Sequence, residues 1–261
     1  MSLTKSISQF IDNTLVDLGR QFRWSYLPPL MIYVAAGISG LTGIVGVFFI
    51  KDYLNLSAAF LAGLGFWAGI PWALKMPLGH LVDLIWSRKN YLVFVGAGLI
   101  ALSVIIMYGL IIHTETMASI LKVETWFIVS ALLAPVGYVT QDVVADAMTV
   151  EAIPSTNDQG IQYSTQQIKI MHTTMQTLGR FAIIGGFFLV ALVNVVMFAG
   201  VSALSEAEKI EIYGRIYLYA LIIPIVSVSG VFLAMYLKRQ RLEKLKKSGV
   251  SDEELKKLMT E

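Results

Sequence analysis

Six apolar runs, at about residues 27–50, 58–82, 91–112, 125–150, 178–202 and 216–237, dominate this chain of 261 residues. Each reaches the ~20 residues that a helix needs to cross a hydrocarbon core about 30 Å thick. In that medium every backbone N–H and C=O must be bonded within the protein, which leaves only helices and closed barrels as spanning structures. Barrel strands alternate apolar and polar residues in much shorter segments. These runs are apolar all round and rich in Gly and Ala, so they predict six transmembrane helices and an all-α integral membrane fold. The composition agrees, with 56% hydrophobic residues and a mean hydropathy of +0.68. The first run begins near Tyr26 and is too long for a cleavable leader, so no signal peptide is expected. With no cysteine, disulfides and thiolate metal sites are excluded.

Orientation follows from the basic residues. An even number of spans puts both termini on one side. Sixteen of the 20 Lys and Arg then fall on that side: Lys5, Arg20 and Arg23, the group around Lys75, Arg88 and Lys89, the pair Lys169 and Arg180, and eight after the sixth run. The other side holds Lys51, Lys122, Lys209 and Arg215. Cytoplasmic loops carry the excess of Lys and Arg, so both termini are expected in the cytoplasm.

The flanks have their own patterns. Residues 1–25 place Ile7, Phe10, Ile11, Leu15, Leu18 and Phe22 at helical spacing among polar residues, which predicts an amphipathic helix at the interface or packed under the bundle. Residues 26–237 form the membrane domain. Residues 238–261 are a charged tail, with a basic helical extension over Lys238–Lys247 suited to anionic headgroups. Ser251 to Glu254 reads as a capping box. Gly37, Gly40, Gly43 and Gly46 recur every three residues in span 1 and are read as a surface for close helix packing. Asn55-Leu56-Ser57 matches a glycosylation acceptor but lies too near the membrane to be used. Ser205 is expected to cap a short helix before span 6. The stretch 151–177 is polar, with Ile161, Ile168, Met171, Met175 and Leu178 interleaved, so span 5 is expected to begin early, with a polar face that lines a cavity or projects into the cytosol.

Span 4 ends in YVTQDVVADAMTVE, which carries Asp142, Asp146 and Glu151. An Asp at mid-membrane disfavours insertion by about 3 kcal/mol, against the roughly 0.3–0.6 that each good apolar residue contributes. Such a helix belongs inside a bundle, with its acids on a polar interior, a cation or a transport path. Spans 2 and 4 run in the same direction. Lys75 stands eight residues before Asp83 and Asp142 nine before Glu151, so Lys75 and Asp142 are expected at one depth and able to pair. Asp142 and Asp146, four apart, share a face, and two carboxylates held together favour keeping a proton on one of them. The alternatives are a Lys–Asp bridge that fixes packing or gating, with Asp146 and Glu151 at the rim, and a site that touches protons or substrate.

Several segments carry a family resemblance. Gly79-His80-Leu81-Val82-Asp83 followed by Arg88-Lys89 resembles the helix 2–3 signature of the major facilitator superfamily, although the second glycine of that signature is missing. Lys51-Asp52-Tyr53-Leu54-Asn55-Leu56-Ser57, Pro71-Trp72-Ala73-Leu74-Lys75, Gln141-Asp142 through Glu151, and Gly160-Ile161-Gln162-Tyr163-Ser164 together resemble the folate–biopterin transporter family, a branch of that superfamily. Met76 after Lys75 and Tyr163 before Ser164 depart from its pattern. The resemblance implies a six-helix half built from two inverted three-helix repeats. It also implies transport of a small organic anion such as a folate or pterin, coupled to protons as a symport. Lys75, Asp142, Asp146 and Glu151 are then the candidates for substrate, proton or gating contact, and Gly79, Asp83, Arg88 and Lys89 form the helix 2–3 motif.

His80, His113 and His172 have no ligand spacing, so no metal site is expected. No nucleophile triad, phosphate loop or nucleic-acid surface is present, so neither an enzyme, a cofactor nor a nucleic-acid partner is expected. The expected partners are the lipid bilayer, the anion, protons, and a second six-helix half from this chain's continuation, a second copy or a separate chain. The competing class is a membrane scaffold or assembly protein descended from a transporter half and no longer transporting.

Overall fold

A computed structural model describes residues 17–49, 56–157 and 161–247. The expected helix-forming positions Ile7, Phe10, Ile11 and Leu15 lie outside the described residues, as do Lys51 to Asn55, Gly160, and the tail from 248 with its Ser251 capping box. Among the described residues the regular elements are helices, and six stretches are long and apolar enough to cross a membrane.

A short helix, α1 (Asp17–Arg20), precedes a 3₁₀ turn at Trp24–Tyr26 and the first span, Trp24–Val47. Helix α2 (Leu27–Gly37) starts with Pro28 and Pro29 in its first turn, where a missing N–H leaves no intrahelical bond unmade. It tightens into a 3₁₀ segment, Ile38–Thr42, and resumes as α3 (Gly43–Phe49). Gly37, Gly40 and Gly43 bracket this segment, and glycine is a weak helix former. Gly37 alone is tightly covered: an added Cβ would lie 2.9 Å from Gly186 Cα in span 5. Gly43 has open space.

Span 2, Ala58–Leu84, is bent. Helix α4 (Ala58–Ala73) is capped by Ser57, whose Oγ accepts from Phe60 N at 3.2 Å. Pro77 lacks the N–H that the Ala73 carbonyl would accept. The helix breaks at Leu74 and restarts as α5 (Lys75–Leu84), which places Lys75 at the kink. A 3₁₀ turn, Trp86–Arg88, leads into α6 (Asn90–Ile112), and the short α7 (Thr114–Ile120) connects to α8 (Val123–Glu151).

Helices α6 and α8 approach closely, backbone to backbone. A Cβ on Gly96 would meet Gly137 O at 2.7 Å, and one on Gly137 would meet Gly96 O at 2.7 Å. A turn or two further along, Ser103 Oγ donates to Ser130 O (2.9 Å) and Ser130 Oγ to Ser103 O (3.0 Å). Small residues and reciprocal hydroxyls are how helices associate where lipid supplies no hydrophobic drive.

Helix α9 (Thr165–Met197) has 33 residues and begins at a full capping box of Ser164 and Gln167. At 1.5 Å per residue it is roughly 50 Å long, well beyond the hydrocarbon thickness. Helix α10 (Glu206–Ala220) opens on a second capping box, Ser205 with Glu208. Pro224 removes the donor that the Ala220 carbonyl needs, and α11 (Ile222–Lys247) follows the break at Leu221. The apolar run ends near residue 237, but α11 continues unbroken into the basic stretch.

Two buried apolar clusters fill the bundle. One gathers Val45, Ile100, Leu110, Ile216 and Ile223. The other gathers Tyr26, Ile32, Val93, Val144, Met175 and Val231, and forms the floor on which the charged residues stand. Large apolar side chains are exposed on α4 (Phe66, Trp67, Trp72) and α9 (Phe187, Phe188, Val195, Val196). Exposure on this scale is unusual for a soluble monomer and suits a lipid face.

Candidate functional site

The kink in span 2 and the acidic end of span 4 meet. Lys75 Nζ lies 2.6 Å from Asp142 Oδ2 and 3.0 Å from Asp146 Oδ2. One ammonium thus bridges two carboxylates a helical turn apart. The two acids differ in access: the Asp142 side chain is 12% exposed and that of Asp146 49%. Asp142 is fixed in the bundle, whereas Asp146 stands at its open edge.

Two further contacts set the geometry. Tyr33 Oη, from span 1, donates to Asp146 Oδ1 at 2.6 Å. Its ring is buried against Gly179 of α9, where an added Cβ would sit 2.9 Å from Tyr33 Cε2. Beside Asp142, Gln141 Nε2 donates to Val93 O (3.0 Å) and Ser227 Oγ (2.9 Å), which joins α8 to spans 3 and 6 and fixes its rotation. Ser227 Oγ in turn donates to Pro224 O at 3.0 Å. The charged cluster is therefore held by all six spans.

A second ionic cluster closes the end of span 4. Lys89 is buried; its Nζ lies 2.9 Å from Glu151 Oε1, donates to Trp86 O at 3.3 Å and stands 3.9 Å over the Trp86 ring. Lys238 Nζ approaches the same Glu151 oxygen at 3.9 Å, and Ser25 Oγ donates to Ala152 O at 2.7 Å. Burial pushes the Lys89 ammonium below the ordinary lysine range, against the opposing pull of Glu151. The connector after span 2, the end of span 4 and the extension of span 6 converge here.

The helix 2–3 motif is only partly engaged. Gly79 faces Val143 of α8, with an added Cβ at 4.0 Å from Val143 Cγ1. Asp83 and Arg88 are exposed and make no ion pair among the described residues. It is Lys89 of the basic pair that reaches an acid. Sequence reasoning missed Tyr33, Trp86, Ser227 and the bracing role of Gln141. A hydroxyl or amide in an apolar run needs a partner, and that rule marks Tyr33 and Gln141 without naming what they touch. No group of three metal-ligating side chains occurs among the described residues.

Six apolar helices enclosing satisfied charges define a multi-pass integral membrane protein. Over 140 residues, 52% of its length, the chain is 30% identical to a folate-biopterin transporter of Synechocystis sp. (strain ATCC 27184 / PCC 6803 / Kazusa). The match spans 26% of that protein, about a quarter of its length. No family model and no solved structure matches the chain.

Proposed function

We propose that the chain is a secondary active transporter, or half of one, that moves a small organic anion of the folate or pterin class with protons by alternating access. The observation that carries this reading is Lys75 bridging Asp142 and Asp146 within apolar helices. Intramembrane charges are retained where they serve a path, and a packing clamp needs only one carboxylate per ammonium. The likeness to a folate-biopterin transporter supports the same class.

In this mechanism Asp142 is the fixed partner of Lys75 and Asp146 the accessible one. A proton on Asp146 Oδ2 weakens its hold on Lys75, which then serves Asp142 alone. The tie between the kink of span 2 and the open edge of span 4 loosens, and α5 is free to move. The Lys89–Glu151 pair acts as a tether at the cytoplasmic end, with both termini on that side. The complete carrier has the two-half arrangement of the major facilitator superfamily, and the second half comes from further chain, a second copy or a separate polypeptide.

The test is uptake of radiolabelled folate into proteoliposomes under an imposed pH gradient, for the chain alone and with a partner half. Gradient-driven uptake that D146N abolishes or uncouples is expected. Absence of uptake with a confirmed partner present would leave the scaffold reading in its place.

A further inference from the structure

The cluster around Lys75 holds two carboxylates and one ammonium, so it repels an incoming anion rather than receiving one. If the cargo is anionic, its charge must be met elsewhere. We infer that one flank of α9 is an anion subsite, in which Lys169, His172, Gln176 and Arg180 take the carboxylate or phosphate of an organic anion. This assignment rests on the transport reading for its ligand class, but the basic face itself does not depend on it.

These side chains border an open recess of about 610 Å³ along a single face of α9. A second opening of about 790 Å³, between α9 and the segment at Leu18 and Gln21, shares Lys169 with the first. Spacings of three and four residues put the four side chains on one helical face. Helix α9 carries no Asp or Glu from Thr165 to Met197. Lys169 and Arg180 are exposed and make no ion pair among the described residues. Basic side chains on a helix face that carries no acid form a field that draws anions. Arg180 also presents the planar fork that grips carboxylate or phosphate through two parallel hydrogen bonds.

The position links the basic face to the charged cluster. Gly179, one residue before Arg180, is the surface on which the Tyr33 ring rests, and Tyr33 holds Asp146. An anion drawn to Arg180 therefore loads the same turn of α9 that borders the acid pair. Lys169 and Arg180 stand roughly 16 Å apart along the axis, which fits an extended molecule with charges at both ends better than a compact inorganic ion. Lipid headgroups present the same phosphate chemistry, so the experiment separates the two sources.

The full chain is placed in nanodiscs of phosphatidylcholine, with and without phosphatidylglycerol, and equilibrium binding of tritiated folic acid is measured. Arg180→Gln is expected to weaken binding about tenfold or more, the loss of one charge-assisted bond. Lys169→Gln is expected to weaken it less, Arg180→Lys to restore part of it, and Arg239→Gln on α11, an equal change of charge, to leave it unchanged. If the native chain binds no folic acid but retains phosphatidylglycerol through Arg180 and Lys169, the subsite stands with lipid as its source. If the Arg180 and Lys169 variants alter neither ligand, the subsite is overturned. Binding that depends on Arg180 without uptake in proteoliposomes would overturn the transport reading and leave the subsite intact.

Discussion

Tyr33 Oη donates to Asp146 Oδ1 across 2.6 Å while its ring covers Gly179, so one side chain of span 1 registers spans 4 and 5 against each other. Tyr33→Phe keeps the ring and removes the bond. A hydrogen bond to a charged group contributes about 1.5–3 kcal/mol when dry. With Asp146 half-exposed, a loss of about 1 kcal/mol is expected, together with slower uptake. Thermal unfolding in detergent reads the first; an unchanged Tm would mean that the hydroxyl does not hold the carboxylate.

Lys75 and Asp142 are expected to be strongly coupled. Removing the cation alone, as in Lys75→Gln, leaves Asp142 charged among apolar neighbours and should destabilise the chain by about 3 kcal/mol. Adding Asp142→Asn removes the stranded charge. The double variant should then recover on the order of 1 kcal/mol or more relative to the sum of the single losses. Strict additivity in denaturation of the four species would show that the contact is incidental.

The spans and this charge pair were both legible in the sequence, for different reasons. Apolar runs above ~20 residues have few alternatives to crossing a membrane. Lys75 and Asp142 could be set at one depth by counting along two parallel helices, because rise per residue is fixed. Rotation and contact partners are not fixed by counting. Tyr33 sits in an apolar run and looks like a core aromatic until its hydroxyl is asked for a partner. Lys89 and Arg88 are equivalent in sequence, and only the 3₁₀ turn at Trp86–Arg88 decides which one turns inward to Glu151. The glycines of span 1 recur at a regular interval, but only Gly37 lies in tight contact with a neighbouring helix.

Gly96 and Gly98 stand two residues apart on α6 and should respond in opposite ways. A Cβ on Gly96 meets Gly137 O at 2.7 Å, and backbone cannot step aside as a side-chain tip can. Gly96→Ala should therefore force α6 from α8 and cost about 1–3 kcal/mol. Gly98 has nothing within 4 Å. Gly98→Ala should be neutral or stabilise by up to about 1 kcal/mol through helix propensity. Denaturation of the two variants side by side checks this, and equal losses would contradict a tight backbone contact between Gly96 and Gly137.

Lys89 should leave a signature in the alkaline limb of stability. Burial lowers its proton affinity in the fold relative to the unfolded chain, with Glu151 opposing. Below its lowered value the ammonium is charged in both states and the burial penalty acts in full. Between that value and the ordinary lysine value, only the unfolded chain keeps the proton. The unfolded state then binds more protons, so Lys89 makes the fold more stable as pH rises through this window, by at most about 1.4 kcal/mol per pH unit. Lys89→Met lacks this component. The stability of the native chain minus that of Lys89→Met should therefore climb with alkaline pH, read as the difference between their Tm values in detergent. A flat or falling difference would show that Glu151, and not burial, sets the charge state of Lys89.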